Sequence, residues 1–402
     1  MALKVKISKI GFKDIGKFGT LAQARDKVID AAPAKEVSGV FPINENAAAL
    51  HPDFQKMKIA EIIEHEGAGA KTFIFKADKA AYFRSGQYLS VYLEIGESKL
   101  TRPYSISSSP EWSKDGKYAI TVRRTPNGFA SDWILDNWKV GDEVTVSEGL
   151  GNFYYEELRD SENVIALAGG SGITPFLSMA YAIRDGIEDF NLTILFGSRD
   201  EKSILFKEEL DSIAAECDKV KVVHVLSEQK KKGYEHGFIN ADIIKKYAPE
   251  NGDYSVFMCG PEAMYKFAEG EIKKLGLERK YVRRELLGVT KKVWEKPDYP
   301  VENKGKNFSV TVRQGENETV ISASADEPLL VALERSGVSA PSRCRSGECG
   351  WCRLKLISGE VYVPEENDDG RRWSDKQNGY IHPCASFALS DLVLEVPGSY
   401  IK

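Results

Sequence analysis

The sequence predicts a multidomain chain with three folded parts in order: an antiparallel β-barrel, an α/β domain on a parallel sheet, and a small α+β domain. Three observations predict this. Residues 57–157 hold short β-rich runs, such as "KTFIFKAD", "QYLSVYLEI" and "YAITVRRT", parted by Gly, Asp or Asn, which is the pattern of a sandwich or barrel. Residues 158–288 alternate: "ENVIALAGG" strand and "TPFLSMAYAIRDG" helix, "NLTILFGS" strand and "KSILFKEELDSIAAE" helix, and so on to "YSVFMCG" and "PEAMYKFAEGEIKKLG". Strand and helix in turn make a parallel sheet. Residues 307–402 open on a hairpin pattern and one helix, then reach a cysteine cluster.

The remaining stretches lie between and before these parts. The chain has 402 residues, long for one domain. Residues 1–56 form an N-terminal extension with helix formers after Gly19, then "VFPINENAAALHPDF", which reads as loop. It carries no catalytic signature and is expected to be a packing or docking element. Residues 289–306, "VTKKVWEKPDYPVENKGK", are charged, hold two prolines and read as a linker.

Composition narrows the function classes. Net charge is −5 and the pI about 5.8, so bulk charge does not draw the chain to nucleic acid. No apolar run approaches the ~20 residues that cross a bilayer, and the start lacks the apolar core of a signal peptide. The expectation is a soluble, cytoplasmic protein, whose thiols stay reduced, against a disulfide role for the six cysteines.

Cys344, Cys349 and Cys352 give C-x4-C-x2-C, and Cys384 follows after 31 residues. That is the plant-type [2Fe–2S] spacing. Three thiolates on one tight loop wrap one side, and a fourth closes the site. Bridging sulfides carry negative charge and need N–H donors. Gly347 and Gly350 let the backbone turn its amides inward, and Ser342, Arg343 and Ser346 supply further donors. Zinc sites favour two separated CxxC pairs or Cys/His mixtures, whereas here only Cys349 and Cys352 make such a pair. His382 lies two residues before Cys384, but the all-cysteine set is complete without it. The region resembles a plant-type ferredoxin domain, which implies a β-grasp fold.

Upstream, "LTRPYSISSSP" sits between predicted strands, "SGQYLSVYL" precedes it and "TVRRTPNGFASDWI" follows. With the α/β domain behind them, residues 57–288 resemble the ferredoxin–NADP reductase family. The resemblance implies that Arg102 binds flavin phosphate, Tyr104 packs on the flavin, and the Ser105 hydroxyl lies near flavin N5. It makes the "NGFAS" turn a phosphate-binding helix start, with Gly128 allowing the turn and Ser131 facing the phosphate. "GLGNFYY" lacks the usual Pro of that family's loop. The flavin is expected to be FAD, with FMN the alternative.

"VIALAGGSGITP" is a strand and a Gly-rich turn. Gly169, Gly170 and Gly172 permit close approach of a pyrophosphate, and Thr174 and Pro175 open the helix. "FMCGPEAM" ends a strand in Cys259, Gly260 and Pro261, which in the family lie beside the nicotinamide ring. Cys259 is then a contact residue rather than a covalent nucleophile, while Cys217 reads as core. Ser198 and Arg199 end the second strand, where the adenosine ribose is read in the family it resembles, and Arg suits a 2′-phosphate. Asp200, Glu201 and Glu228 pull the other way, so NADH versus NADPH stays open.

The three motif sets share one logic. A nicotinamide gives two electrons at once, a [2Fe–2S] cluster takes one, and a flavin mediates between them. Tyr104, Ser105 and Cys259 are the residues expected at the reacting atoms. The domain order resembles oxygenase reductase components and hybrid-cluster-protein reductases, implying an NAD(P)H-dependent oxidoreductase with a redox protein as acceptor. An electron-transfer subunit of a larger dehydrogenase complex and a redox sensor are the alternatives.

Overall fold

A computed structural model describes residues 12–32, 41–125, 128–285, 287–364 and 369–397. Two compact units divide the chain, 1–48 and 49–402. The first holds α1 (Phe12–Asp30) and most of α2 (Pro42–Leu50). Two expectations fail here. The first helix runs through Gly16 and Gly19 instead of starting after them. The stretch read as loop contains α2: Pro42 stands in the first turn, where a missing N–H costs nothing, and the alanines at 47–49 are strong helix formers.

The barrel comprises β1 (Gln55–His65), β2 (Ala70–Lys76), β3 (Tyr88–Ile95), β4 (Ser98–Ser105), β5 (Lys117–Arg123), α3 (Phe129–Asn137) and β6 (Glu143–Val146). Strand order is β4-β3-β6-β1-β2-β5, every pair is antiparallel, and an Ile106–Ile120 bridge links the two ends. The period of two sorts the side chains: Met57 and Ile59 point into the core while Lys56 and Lys58 face out.

The second domain runs β7 (Asn163–Gly169), α4 (Thr174–Arg184), β8 (Asn191–Ser198), α5 (Lys207–Glu216), β9 (Val220–Leu226), β10 (Glu235–His236), α6 (Ala241–Tyr247), β11 (Ser255–Cys259), α7 (Glu262–Lys273) and β12 (Val282–Arg284). Its sheet is wholly parallel, in the order β10-β9-β8-β7-β11-β12. The order reverses between β7 and β11. Connections leave those two strands in opposite directions, which opens a crevice at their carboxyl ends.

The third domain runs β13 (Asn307–Gln314), β14 (Asn317–Ser324), α8 (Leu329–Arg335), β15 (Leu354–Ser358), β16 (Val361–Tyr362), α9 (Trp373–Gln377), β17 (Tyr380–Ile381), β18 (Phe387–Ala388) and β19 (Leu392–Glu395). The mixed sheet β14-β13-β19-β15-β17 has one parallel pair, β13–β19. Helix α8 buries Leu329, Leu330, Ala332 and Leu333, completing an α+β grasp. The stretch read as a linker is largely not free. Val293 and Tyr299 are buried with Tyr362 and Phe387, and the Tyr299 hydroxyl donates to Asp326 at 3.1 Å. Its charged composition hid three apolar anchors, Val293, Trp294 and Tyr299.

Candidate functional site

The crevice at the ends of β7 and β11 is lined by backbone. A Cβ on Gly172 would lie 2.2 Å from the Cys259 carbonyl oxygen, and one on Gly169 would lie 2.6 Å from Met264 Sδ. Gly170 has a φ of +55°, and a Cβ there would meet Arg123 Nη1 at 2.6 Å. The Gly169–Gly172 turn thus presses onto Cys259-Gly260-Pro261, joining two motifs about ninety residues apart. Such a bare-backbone cradle fits a pyrophosphate and a flat ring. Thr174 is turned inward, its hydroxyl donating to Ser171 O at 2.9 Å. Burial raises the Cys259 thiol well above its usual range, with Glu285 adding to the effect, so it stays a neutral thiol.

Ser198 Oγ is buried and finds no hydrogen-bond partner among the described residues, whereas Arg199 is exposed. Two of the three opposing acids are engaged by protein. Asp200 caps the following turn, accepting from Ser203 N at 2.9 Å. Glu201 accepts from Tyr234 Oη at 2.7 Å and pairs with Lys231.

One residue of the candidate site escaped the sequence reading. Glu285, just past β12, is 6% exposed, and Ser105 Oγ at the end of β4 donates to its Oε2 at 3.1 Å. Glu285 N donates to Met258 O at 3.0 Å, and the Tyr265 hydroxyl donates to its carbonyl, so the carboxyl is fixed beside Cys259. Its only sequence signal is an acid directly after the last strand, in "VRRELLG". Burial pushes its pKa up to about 8, the Ser105 bond opposing and the Glu348 charge adding. A carboxyl raised in this way keeps its proton at neutral pH and loses it as pH rises through about 8. Glu285→Gln is therefore expected to slow flavin reduction by NAD(P)H about 100-fold and to flatten the wild-type decline above that pH. Stopped-flow rates across pH check both.

Arg102 and Tyr104 lie near the end of β4. Burial raises the Tyr104 phenol above its usual range, the Arg102 charge partly opposing, so it is a neutral half-buried ring. Gly128 is the residue before α3, with a φ of −75°. It serves by room rather than by left-handed backbone, since a Cβ would meet Ser131 Oγ at 2.2 Å and Thr125 O at 2.9 Å. Asn127 of the "NGFAS" turn lies outside the described residues. A cation, a ring and a helix start fit a phosphate-bearing flavin.

The four cysteines come as two pairs. Cys352 Sγ lies 3.3 Å from Cys384 Sγ, and Cys349 N donates to Cys344 Sγ at 3.4 Å. Among the described residues no three His, Cys, Asp or Glu side chains gather as ligands of a single ion. Two pairs suit two irons better than one zinc. The Cys349 thiol pulls Cys344 well below the ordinary thiol range; burial opposes it and Ser346 assists. Arg345, Gly347 and Gly350 have φ of 63°, 87° and 71°, the left-handed turns that aim amides inward. Two expected donors are used elsewhere: Arg343 stacks on the Trp351 ring at 3.5 Å, and the Ser342 hydroxyl bonds Thr101 of the barrel. His382 Nδ1 donates to Gly347 O at 2.7 Å, buttressing the loop. Cys349 is exposed and the other three are buried.

The loop also touches the barrel. Tyr88, which faces Ser105 across the β3–β4 pair, packs with Leu150 and Cys344, and Gly288 N donates to Cys344 O at 3.0 Å.

Comparison with known proteins agrees with this arrangement. Three family models match in order: the oxidoreductase FAD-binding domain over 58–155, the oxidoreductase NAD-binding domain over 166–270 and the 2Fe-2S iron-sulfur cluster binding domain over 312–389. The glycine betaine monooxygenase reductase subunit of Chromohalobacter salexigens is 27% identical over 340 residues, covering 81% of this chain and 91% of the relative. The ferredoxin reductase component of 3-ketosteroid-9-alpha-monooxygenase from Mycolicibacterium smegmatis is 28% identical, covering 84% and 95%. The solved structure of phthalate dioxygenase reductase, 27% identical, superposes with a TM-score of 0.60 over 85% of this chain and 98% of its own.

Proposed function

Because the chain belongs to the ferredoxin–NADP reductase superfamily, in the group that carries a C-terminal plant-type [2Fe–2S] domain, we propose that it is the reductase component of an oxygenase system. It takes electrons from NAD(P)H and delivers them singly to an oxygenase protein. A bound flavin would supply the exchange between two-electron and one-electron chemistry, and a bound cluster would supply one-electron transfer.

The chain's own residues divide the work. The glycine cradle and Cys259-Gly260-Pro261 hold the nicotinamide end. Arg102, Gly128 and Ser131 hold the flavin phosphate, and Tyr104 packs on the ring. Ser105 and Glu285 keep a proton between the two domains. Cys344, Cys349, Cys352 and Cys384 ligate the irons.

A single observation carries this reading, a continuous run of contacts through three domains. Glu285 bonds Ser105, Ser105 faces Tyr88 across a strand pair, and Tyr88 packs on Cys344. Electron transfer needs such proximity, and neither a storage protein nor a binding module does. All six cysteines are free, which supports a reducing, cytoplasmic setting. No helix among the described residues is long and apolar enough to cross a membrane.

Anaerobic titration with NADH and with NADPH tests the proposal. Flavin and cluster absorbance should bleach in succession with one nucleotide at least, and the bleached protein should reoxidise on adding its oxygenase acceptor. If neither nucleotide bleaches either chromophore, the reading fails.

A further inference from the structure

The barrel and the cluster domain meet through charge. Glu334, near the end of α8, is 4% exposed and takes two guanidinium groups. Arg345, 2% exposed, pairs with it through both nitrogens, Nη2 to Oε2 at 2.9 Å and Nη1 to Oε1. Arg102 reaches across from β4, its Nη1 lying 3.4 Å from Glu334 Oε2. Both arginines donate to one backbone carbonyl, that of Thr101, at 2.8 Å from Arg102 and 3.3 Å from Arg345. The Thr101 hydroxyl in turn bonds the Ser342 hydroxyl and carbonyl.

Two cations thus share one carboxylate, so these three side chains carry one excess positive charge. Such a charge is costly to bury unless an anion meets it. Burial, then the Arg345 charge, pulls the Arg102 pKa down, while Glu334 and Tyr104 oppose. Among the described residues only Nη1 of Arg102 is engaged, so Nε and Nη2 are left to take an oxyanion.

We propose that the flavin phosphate is the anion that completes this set, so that Glu334 and Arg345 are positioning residues that seat the cluster domain on the barrel most firmly when a phosphate-bearing flavin is bound. The inference rests on reading Arg102 as the flavin-phosphate ligand. Loading the flavin and seating the domain then favour each other, because linkage is reciprocal. An enzyme without its flavin would hold its cluster loosely, and a loaded one would hold it where electrons can reach it.

Riboflavin has the same ring and ribityl chain as FMN but no phosphate, which supplies the test. The holoprotein is stripped of flavin and reloaded at saturation with riboflavin, FMN or FAD. Trypsin is then used to cut at Lys291 and Lys292, between the second and third domains. The FMN- and FAD-loaded proteins should be cut about 5-fold or more slowly than the stripped and riboflavin-loaded ones. Arg102→Gln removes the excess charge and should erase the difference at saturating FMN. Glu334→Gln leaves two unpaired arginines and should enlarge it. Equal protection by riboflavin and FMN, or a difference that survives Arg102→Gln, overturns the proposal. The function is tested separately: a chain that NAD(P)H reduces normally, yet whose cleavage ignores the phosphate, refutes only this inference.

Discussion

Cys384→Ser is expected to leave a protein that NAD(P)H still reduces but that passes electrons to a one-electron protein acceptor at least about 100-fold more slowly. The expectation follows from the pairing of the thiols. Cys384 is 1% exposed and sits 3.3 Å from Cys352, so its loss leaves one iron with a single protein ligand. A serine hydroxyl at neutral pH does not replace a thiolate. Iron and acid-labile sulfide should fall together, and the visible cluster bands should be lost while the flavin bands remain. Ferricyanide, which accepts electrons from the flavin directly, should still be reduced. Full iron and sulfide content with unchanged turnover would move the fourth ligand elsewhere. His382 would then be the first residue to test, since its Nε2 is buried and has no hydrogen-bond partner among the described residues.

Gly172→Ala should strike at the other end of the electron path. The added methyl would lie 2.2 Å from Cys259 O and 2.7 Å from Gly260 N. Both are backbone atoms, so no flexible side chain can swing aside. Forcing a methyl into such a contact costs roughly 1–3 kcal/mol of stability. It also shifts the Cys259-Gly260 backbone against the glycine turn, and misplacement of about 1 Å is enough to slow a positioned reaction about 100-fold. The flavin and cluster spectra should survive, because neither chromophore lies on this turn. Stopped-flow reduction by NAD(P)H should show the loss, together with a melting temperature lowered by a few degrees. Unchanged reduction would mean that the two motifs do not enclose the nicotinamide.

Much of this was legible in the sequence, and the reasons differ by element. The barrel strands show themselves through the period of two, as in the alternation of Met57 and Ile59 with Lys56 and Lys58. The parallel sheet is readable because each buried strand is followed by a helix. The cluster ligands are readable because metal spacing is mostly local: three of the four cysteines lie within nine residues. Glu285 was not legible, since its meaning depends on Ser105, 180 residues away in sequence. The same holds for Glu334 and Arg102, 232 residues apart. Helix α2 was missed because Pro and Asn read as breakers, although Pro in a first turn favours a helix. The folded part of 293–306 was missed because its lysines and glutamates outnumber the few apolar side chains that pin it down.

That last stretch sets the mechanical range of the molecule. With Val293 already packed into the third domain and Glu285 anchored in the second, about seven residues join them, and Gly288 among these is itself bonded to Cys344 O. Fully extended that span reaches roughly 25 Å. The iron–sulfur domain is therefore a turret on a short mount rather than a courier on a long leash. On so short a mount it cannot ferry its charge to a distant customer. Whatever protein collects the electron must come to the reductase and fit its shape around the rim where Cys349 reaches the surface.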